Sequence, residues 1–266
     1  MSKALATIEL HADIDFDVEK ARCGNLYTEE AHEMFERLQF KNMLSRFDTK
    51  VSENDIEKYF REVQTREEID QVFAEAEKAE CVGAAFSKDA GNVLPLFAHA
   101  SGYGRIALAF GAEQICSIPC SMDADMEYLM GKLSHLAGNV KCFSVCGLKE
   151  VLSYLPDARR ENSFDPIVAA YLLNPLKSDY EYTDVAREQL SLLVDEKNDE
   201  VSRACYEAYT AYASVSPLLE KLGDAGMERL FREIEMPLLF TLHGMEQAGI
   251  RVEADQLKEY GEQLGE

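Results

Sequence analysis

The chain has 266 residues and 47% hydrophobic content, enough for one large domain or a domain with appendages built on a real core. Its 49 acids against 27 bases give a net charge of −22, which argues against an independent nucleic-acid binder, because phosphate contact needs a basic face. There is no apolar run of about 18 residues to span a membrane, and Met1–Leu10 is too quickly charged for a signal peptide. A cytoplasmic protein without membrane contact is expected. Along the chain, residues 1–27 carry little pattern. Residues 28–47 read as helix, with Thr28 as N-cap and Glu29 and Glu30 suiting the first turn. Ala31, Met34, Phe35 and Leu38 form one apolar stripe; Phe40, Met43, Leu44 and Phe47 form a rotated second one, so a kink is expected near Gln39. Residues 48–66 are polar and read as linker. Glu67–Ala79 reads as helix, with Ile69, Val72, Phe73 and Ala76 inward.

The period then shortens. Cys81–Phe86, Asn92–Phe97, Arg105–Phe110 and Gln114–Ile118 are short apolar runs broken by Gly, Asn and Ser, and they predict consecutive antiparallel strands. A helix follows with Met126, Leu129, Met130, Leu133 and Leu136 on its face, then a strand over Asn139–Val145 and a short helix over Gly147–Leu155. Phe164, Ile167, Val168, Tyr171 and Leu172 recur at helical spacing behind Asp165-Pro166, a helix start, and before Asn174-Pro175, a stop. Thr183 is placed to cap a helix from Asp184 to Val194. Val201, Cys205, Ala208, Tyr212, Val215, Leu219 and Leu222 predict one longer helix. Near the end, a helix with Leu230, Phe231, Ile234, Leu238, Leu242 and Met245 inward contains Pro237, which should kink or break it, and stops at Gly249. Leu257, Tyr260, Gly261 and Leu264 begin another. Strands followed by alternating helix and strand describe an α/β domain with a mixed sheet.

Four stretches carry a resemblance. Phe164-Asp-Pro-Ile-Val-Ala-Ala-Tyr-Leu-Leu-Asn-Pro175 resembles a helix in the 3′–5′ exonuclease-like domain of family A DNA polymerases, the bacterial DNA polymerase I family. Ser2–Ile8 and Glu33–Arg46 are similar to text late in that family's 5′-nuclease domain, and Phe231–Val252 is similar to the start of its polymerase domain. Glu253 stands where the family has Asp, a better N-cap. The resemblance implies a ribonuclease-H-like α/β fold with flanking helices. It implies a 5′-nuclease tail over 1–50, a linker and helix over 51–80, an exonuclease-like domain over 81–222 and the beginning of the polymerase domain over 223–266. The nuclease's metal-binding carboxylates would lie upstream of Met1, and the palm and fingers would follow Glu266. The parent enzyme is a nucleotidyltransferase of DNA replication and repair that uses Mg²⁺.

An active exonuclease of this family needs about four carboxylates around two divalent metals. They come as D-x-E on the first strand, an Asp after a strand–helix junction and Y-x-x-x-D on the last helix. This chain departs at each place. Val82–Ala90 holds only Asp89, beside Lys88. Val140–Leu152 holds only Glu150, beside Lys149. Tyr206, Tyr209 and Tyr212 are followed four residues later by Thr210, Ala213 and Ser216, and no Asp lies between Val201 and Leu219. Asp165 reads as a helix cap. The expectation is a non-catalytic domain with no catalytic, cofactor or metal residue of its own. It would touch DNA through the parent enzyme, with weak or no DNA affinity for the acidic fragment alone, and would pack against the polymerase domain. An active exonuclease with an atypical metal site and a stand-alone protein-interaction module are the alternatives.

Other templates are weak. The five histidines, His11, His32, His99, His135 and His243, are scattered, with no HExxH, and there is no Walker A or G-x-S-x-G motif. Gly102-Tyr-Gly104 reads as a turn. The seven cysteines and the lack of a secretory signal favour free thiols. Cys116-x-x-x-Cys120 and Cys142-x-x-x-Cys146 are either two halves of a zinc site or, the expectation here, buried thiols. The tyrosine series 206, 209, 212 reads as packing rather than as a base-stacking platform.

Overall fold

The structure is a computed structural model. It describes residues 56–87, 103–121, 124–177, 180–194, 198–251 and 253–265, with isolated positions between 28 and 40. The chain divides into two compact units, Met1–Glu53 and Asn54–Glu266. In the first, the Ala31 N–H donates to Thr28 Oγ1 at 3.2 Å, the cap the sequence predicts. Phe40 N–H reaches back to the Phe35 carbonyl at 2.9 Å, and the two rings lie tilted with centroids 5.8 Å apart; Gln39, where the kink is expected, lies outside the described residues. The second stripe, Met43 to Phe47, lies outside the described residues.

In the second unit a six-stranded mixed sheet is flanked by helices. The elements in order are β1 (Phe60–Glu62), α1 (Arg66–Ala76), β2 (Cys81–Ser87), β3 (Arg105–Gly111), β4 (Gln114–Pro119), α2 (Met126–Asn139), β5 (Cys142–Val145), α3 (Leu148–Val151), β6 (Ser163–Phe164), α4 (Pro166–Leu173), α5 (Tyr182–Leu190), α6 (Glu200–Ala213), α7 (Val215–Asp224), α8 (Glu228–Leu230), α9 (Met236–Ala248) and α10 (Ala254–Gly265). The sheet runs β1-β4-β3-β2-β5-β6. Strands β2, β3 and β4 are antiparallel neighbours; β1 joins β4, β5 joins β2 and β6 joins β5 in parallel. The expected strand over Asn92–Phe97 lies outside the described residues.

Period-2 alternation gives the sheet two unlike faces. One carries Val82, Ile106, Leu108, Cys116, Ile118 and Phe143, and joins the main core under α1 and α2. The capping box of Thr65 and Glu68 starts α1, and Asp125 caps α2. The other face is made of small residues on β2 and β3, Gly83, Ala85, Ala107 and Ala109, with Ile115 beside them on β4, and receives Ala204, Cys205 and Ala208 of α6. The fit is tight at Gly83, where an added Cβ would lie 2.3 Å from the Ala208 carbonyl oxygen and 2.4 Å from the Tyr212 nitrogen. Tyr206 is buried at the edge of this layer, its phenol donating to the Glu57 carboxylate and its ring edge-on to Phe60.

Five expectations need correction. Residues 60–62 are a strand rather than linker; three residues among exposed charges carry no readable alternation. Phe164 belongs to β6, not to a stripe on α4. That helix is apolar all round, so its period gives no direction, and Pro166, Ala169 and Ala170 are buried while Tyr171 is exposed. The helix expected from Asp184 starts two residues earlier, because Glu181, not Thr183, makes the capping box, with Asp184. The single helix expected over 201–222 breaks at buried Ser214, where Pro217 has no N–H to offer the next rung.

The fifth correction concerns the last long helix. Just ahead of Pro237, Phe231–Glu235 forms a π turn, whose extra residue rotates everything downstream by about 100°. Phe231 is 1% exposed and packs on Phe164 with ring centroids 5.0 Å apart, but the inward face continues through Met236, Leu239 and Phe240. Leu230, Ile234, Leu238, Leu242 and Met245, expected inward, form an exposed stripe instead. Gly249 ends the helix at φ 67°, as its sequence predicts.

Two stability measurements follow. Gly83→Ala should lower unfolding free energy by about 1–3 kcal/mol, because backbone rather than a flexible side chain blocks the new methyl. Phe231→Ala should cost about 3–5 kcal/mol, while Ile234→Ser should stay within about 0.5 kcal/mol. Equal losses at Phe231 and Ile234 in urea melts would contradict the rotated face.

Candidate functional site

At the C-terminal ends of β2 and β5, where open α/β sheets place their ligand sites, lies a cavity of about 520 Å³. Phe86 and Ser87 come from the end of β2, Tyr103 from the approach to β3, and Glu150 from α3. Glu181, Tyr182 and Thr183 come from the start of α5, and Glu200, Arg203, Ala204 and Glu207 from α6. Asp199 caps α6 by accepting from the Ser202 N–H at 2.7 Å and so fixes where the helix starts.

Of the four glutamates in this lining, Glu150 and Glu207 act on each other electrostatically. Burial, reinforced by the charge of Glu150, pushes the Glu207 carboxyl up to about 7. The neighbouring Tyr182 phenol is pushed up to about 12, first by burial and then by Glu207. Tyr103 is raised by burial, with Tyr154, Glu150 and Glu207 adding to it. Arg203 lies 3.8 Å from Glu200, at the exposed side of the same helix.

Glu150 is the acid the sequence singles out in its window. Glu207 is the one sequence reasoning passes over, because that reading looks for Asp at a fixed spacing from Tyr. The signal available was simpler: Glu207 is the sole acid between Val201 and Leu219. On β2 the cavity meets Phe86 and Ser87, not acids. Asp89, His11, His32, His99 and Gly102 lie outside the described residues. Lys149 points away into an ion pair with Glu246 at 2.6 Å. Among the described residues no group of three or more His, Cys, Asp or Glu side chains is arranged to hold a metal ion. Four glutamates line the cavity, but Glu181 is taken up in the capping box of α5 and Glu200 lies against Arg203, so only Glu150 and Glu207 act on each other, where a pair of divalent cations needs about four acids gathered together.

Asp165 is buried away from this cavity. Its carboxylate accepts from the N–H groups of Gly147 at 3.2 Å, Leu148 at 2.8 Å and Ile167 at 2.9 Å, so one side chain caps both α3 and α4. Burial pushes it up to about 6 against the pull of those donors. Tyr209 and Tyr212 pack on the small-residue layer with Tyr206. The described cysteines are free thiols; Cys116 and Cys205 are buried.

This strand order and the helices packed on it give the unit a ribonuclease-H-like fold. NrnC from Brucella melitensis, bound to pGG, matches with a TM-score of 0.52 at 12% identity, over 71% of this chain and 93% of that one. The POL domain of Pol1 from M. smegmatis, in complex with DNA primer-template and dNTP, matches with a TM-score of 0.56 at 18% identity, over 75% of this chain and 34% of that one. At these identities the solved structures establish the fold alone. In sequence, the chain is similar to DNA polymerase I of Bacillus subtilis (strain 168), 29% identical over 117 residues, or 38% of this chain and 13% of that protein. No protein-family model matches the chain. The likeness to DNA polymerase I therefore comes from both sequence and fold, and spans only a part of those proteins. No described helix is long and apolar enough to cross a membrane.

The cavity generates a pH prediction. Glu207 sits at about 7 in the folded chain against 4.5 ordinarily. Between these values the folded state holds a proton that the unfolded state releases, so stability falls as pH rises through 7. Glu207→Gln should therefore raise stability around pH 8 by on the order of 1–2 kcal/mol and change little around pH 4. Thermal melts across that range check it; a uniform loss at every pH would contradict it.

Proposed function

We propose that this chain is a segment of a cytoplasmic DNA polymerase I of the family A type, acting in replication and repair, and that its exonuclease-like domain is a non-catalytic structural domain. The observation that carries the reading is the cavity itself. At the strand ends where the fold class does its chemistry, the described walls carry four glutamates, Glu150, Glu181, Glu200 and Glu207, of which no three are arranged to hold a metal ion, with Phe86 and Ser87 on β2. DNA would be engaged through the polymerase parts of the parent enzyme, where Mg²⁺ would also act, rather than through this chain of net charge −22. The exposed stripe Leu230, Ile234, Leu238, Leu242 and Met245 supports a role as a packing face for the rest of a polymerase.

The pairing of Glu150 with Glu207 favours one competing reading, a metal-dependent 3′–5′ exonuclease with an atypical site. Purified protein incubated with 3′-labelled single-stranded DNA, first with Mg²⁺ and then with Mn²⁺, separates the two. The expected result is no cleavage above the no-protein control with either ion. Cleavage that persists through stringent purification and is lost in Glu150→Gln or Glu207→Gln would overturn the non-catalytic reading.

A further inference from the structure

Cys81 opens β2 and Cys142 opens β5, and the two are direct partners in the parallel register. Neighbouring strands lie about 4.8 Å apart, inside the Cα separation of about 4.4–6.8 Å that a disulfide spans. The thiols already touch, with the Cys81 S–H donating to Cys142 Sγ at 2.8 Å. Both are half-buried, so a small oxidant can reach them while a protein thiol cannot easily do so. The contact polarises the pair. Cys142 is held below the ordinary thiol value by the Cys81 hydrogen bond and, beyond that, by the nearby Arg232 guanidinium; Cys81 is raised by the same bond and by burial. Cys142 is thus the thiolate-prone sulfur and Cys81 its resolving partner. By contrast, burial raises Cys116, Cys146 and Cys205, and Cys120 also lies above the ordinary value.

We propose that Cys81 and Cys142 form a dithiol switch that a hydroperoxide closes into a disulfide joining β2 to β5. The Cys142 thiolate attacks the peroxide, the O–O bond breaks, and with one proton taken up the products are a Cys142 sulfenic acid and an alcohol or water. The Cys81 thiol then attacks the sulfenic sulfur; the S–O bond breaks and water leaves with the Cys81 proton. The two sulfurs are oxidised by two electrons in all, and the peroxide is reduced by two. A thiol reductant reverses the change.

The test uses the reduced chain and hydrogen peroxide. Remaining thiols are blocked, and peptides are read by mass spectrometry without reduction. The expected result is a Cys81–Cys142 cross-linked peptide, a fall of two titratable thiols and a Tm higher by about 10 °C, since the bond closes a loop of about 60 residues. Dithiothreitol should restore all three. Cys120→Ser should leave the cross-link intact and Cys142→Ser should abolish it. A wild-type digest in which Cys81 and Cys142 stay reduced, pair with other cysteines, or reach the sulfinic state uncrosslinked would overturn the proposal, whether or not the variants fold.

Discussion

The close approach of α6 to the sheet at Gly83 is the contact on which the rest of the second unit depends. With the Ala208 carbonyl and the Tyr212 nitrogen standing where a Cβ would go, the helix can lie on β2 and β3 only because that face is built from Gly and Ala. Dispersion contacts at such short range are numerous and leave no slack for a larger side chain. The same contact decides which turn of α6 reaches the strand ends. Glu207 is carried into the cavity with Glu150, and the neighbouring Tyr206 is buried beside it, where its phenol meets Glu57.

Asp165, buried, and Glu207, half-buried, then show how environment separates structural from site roles. Asp165 has three backbone donors and no place to move, so its charge holds two helix starts together. Glu207 has a cavity before it and another carboxylate beside it, so its proton is retained near neutrality. A carboxylate poised in this way is the kind of group a nuclease pocket employs. On our reading it remains here without the companions that would make a two-metal centre.

Much of the fold was legible in the sequence because its signals are local. The short apolar runs Cys81–Phe86 and Arg105–Phe110, the stripe Ile69–Val72–Phe73–Ala76 and the cap at Asp165-Pro166 each specify an element without help from elsewhere. What was not legible depended on distant partners. Phe60–Glu62 becomes a strand only because Ile115 and its neighbours offer an edge. The face of the last long helix turned because a π turn precedes Pro237, and a strict helical period has no means of counting an inserted residue. At the site, Glu150 was visible as the sole acid in its window. Glu207 was passed over because its meaning comes from the cavity it enters rather than from its neighbours in the chain.

A divalent-cation titration of the folded chain around pH 8, following Mn²⁺ by electron paramagnetic resonance and Mg²⁺ by calorimetry, addresses the central claim most directly. The account predicts only weak, non-saturating association with both ions, scattered over an acidic surface and unchanged in Glu150→Gln. Two ions bound stoichiometrically in the micromolar range, and released by Glu150→Gln or Glu207→Gln, would contradict it.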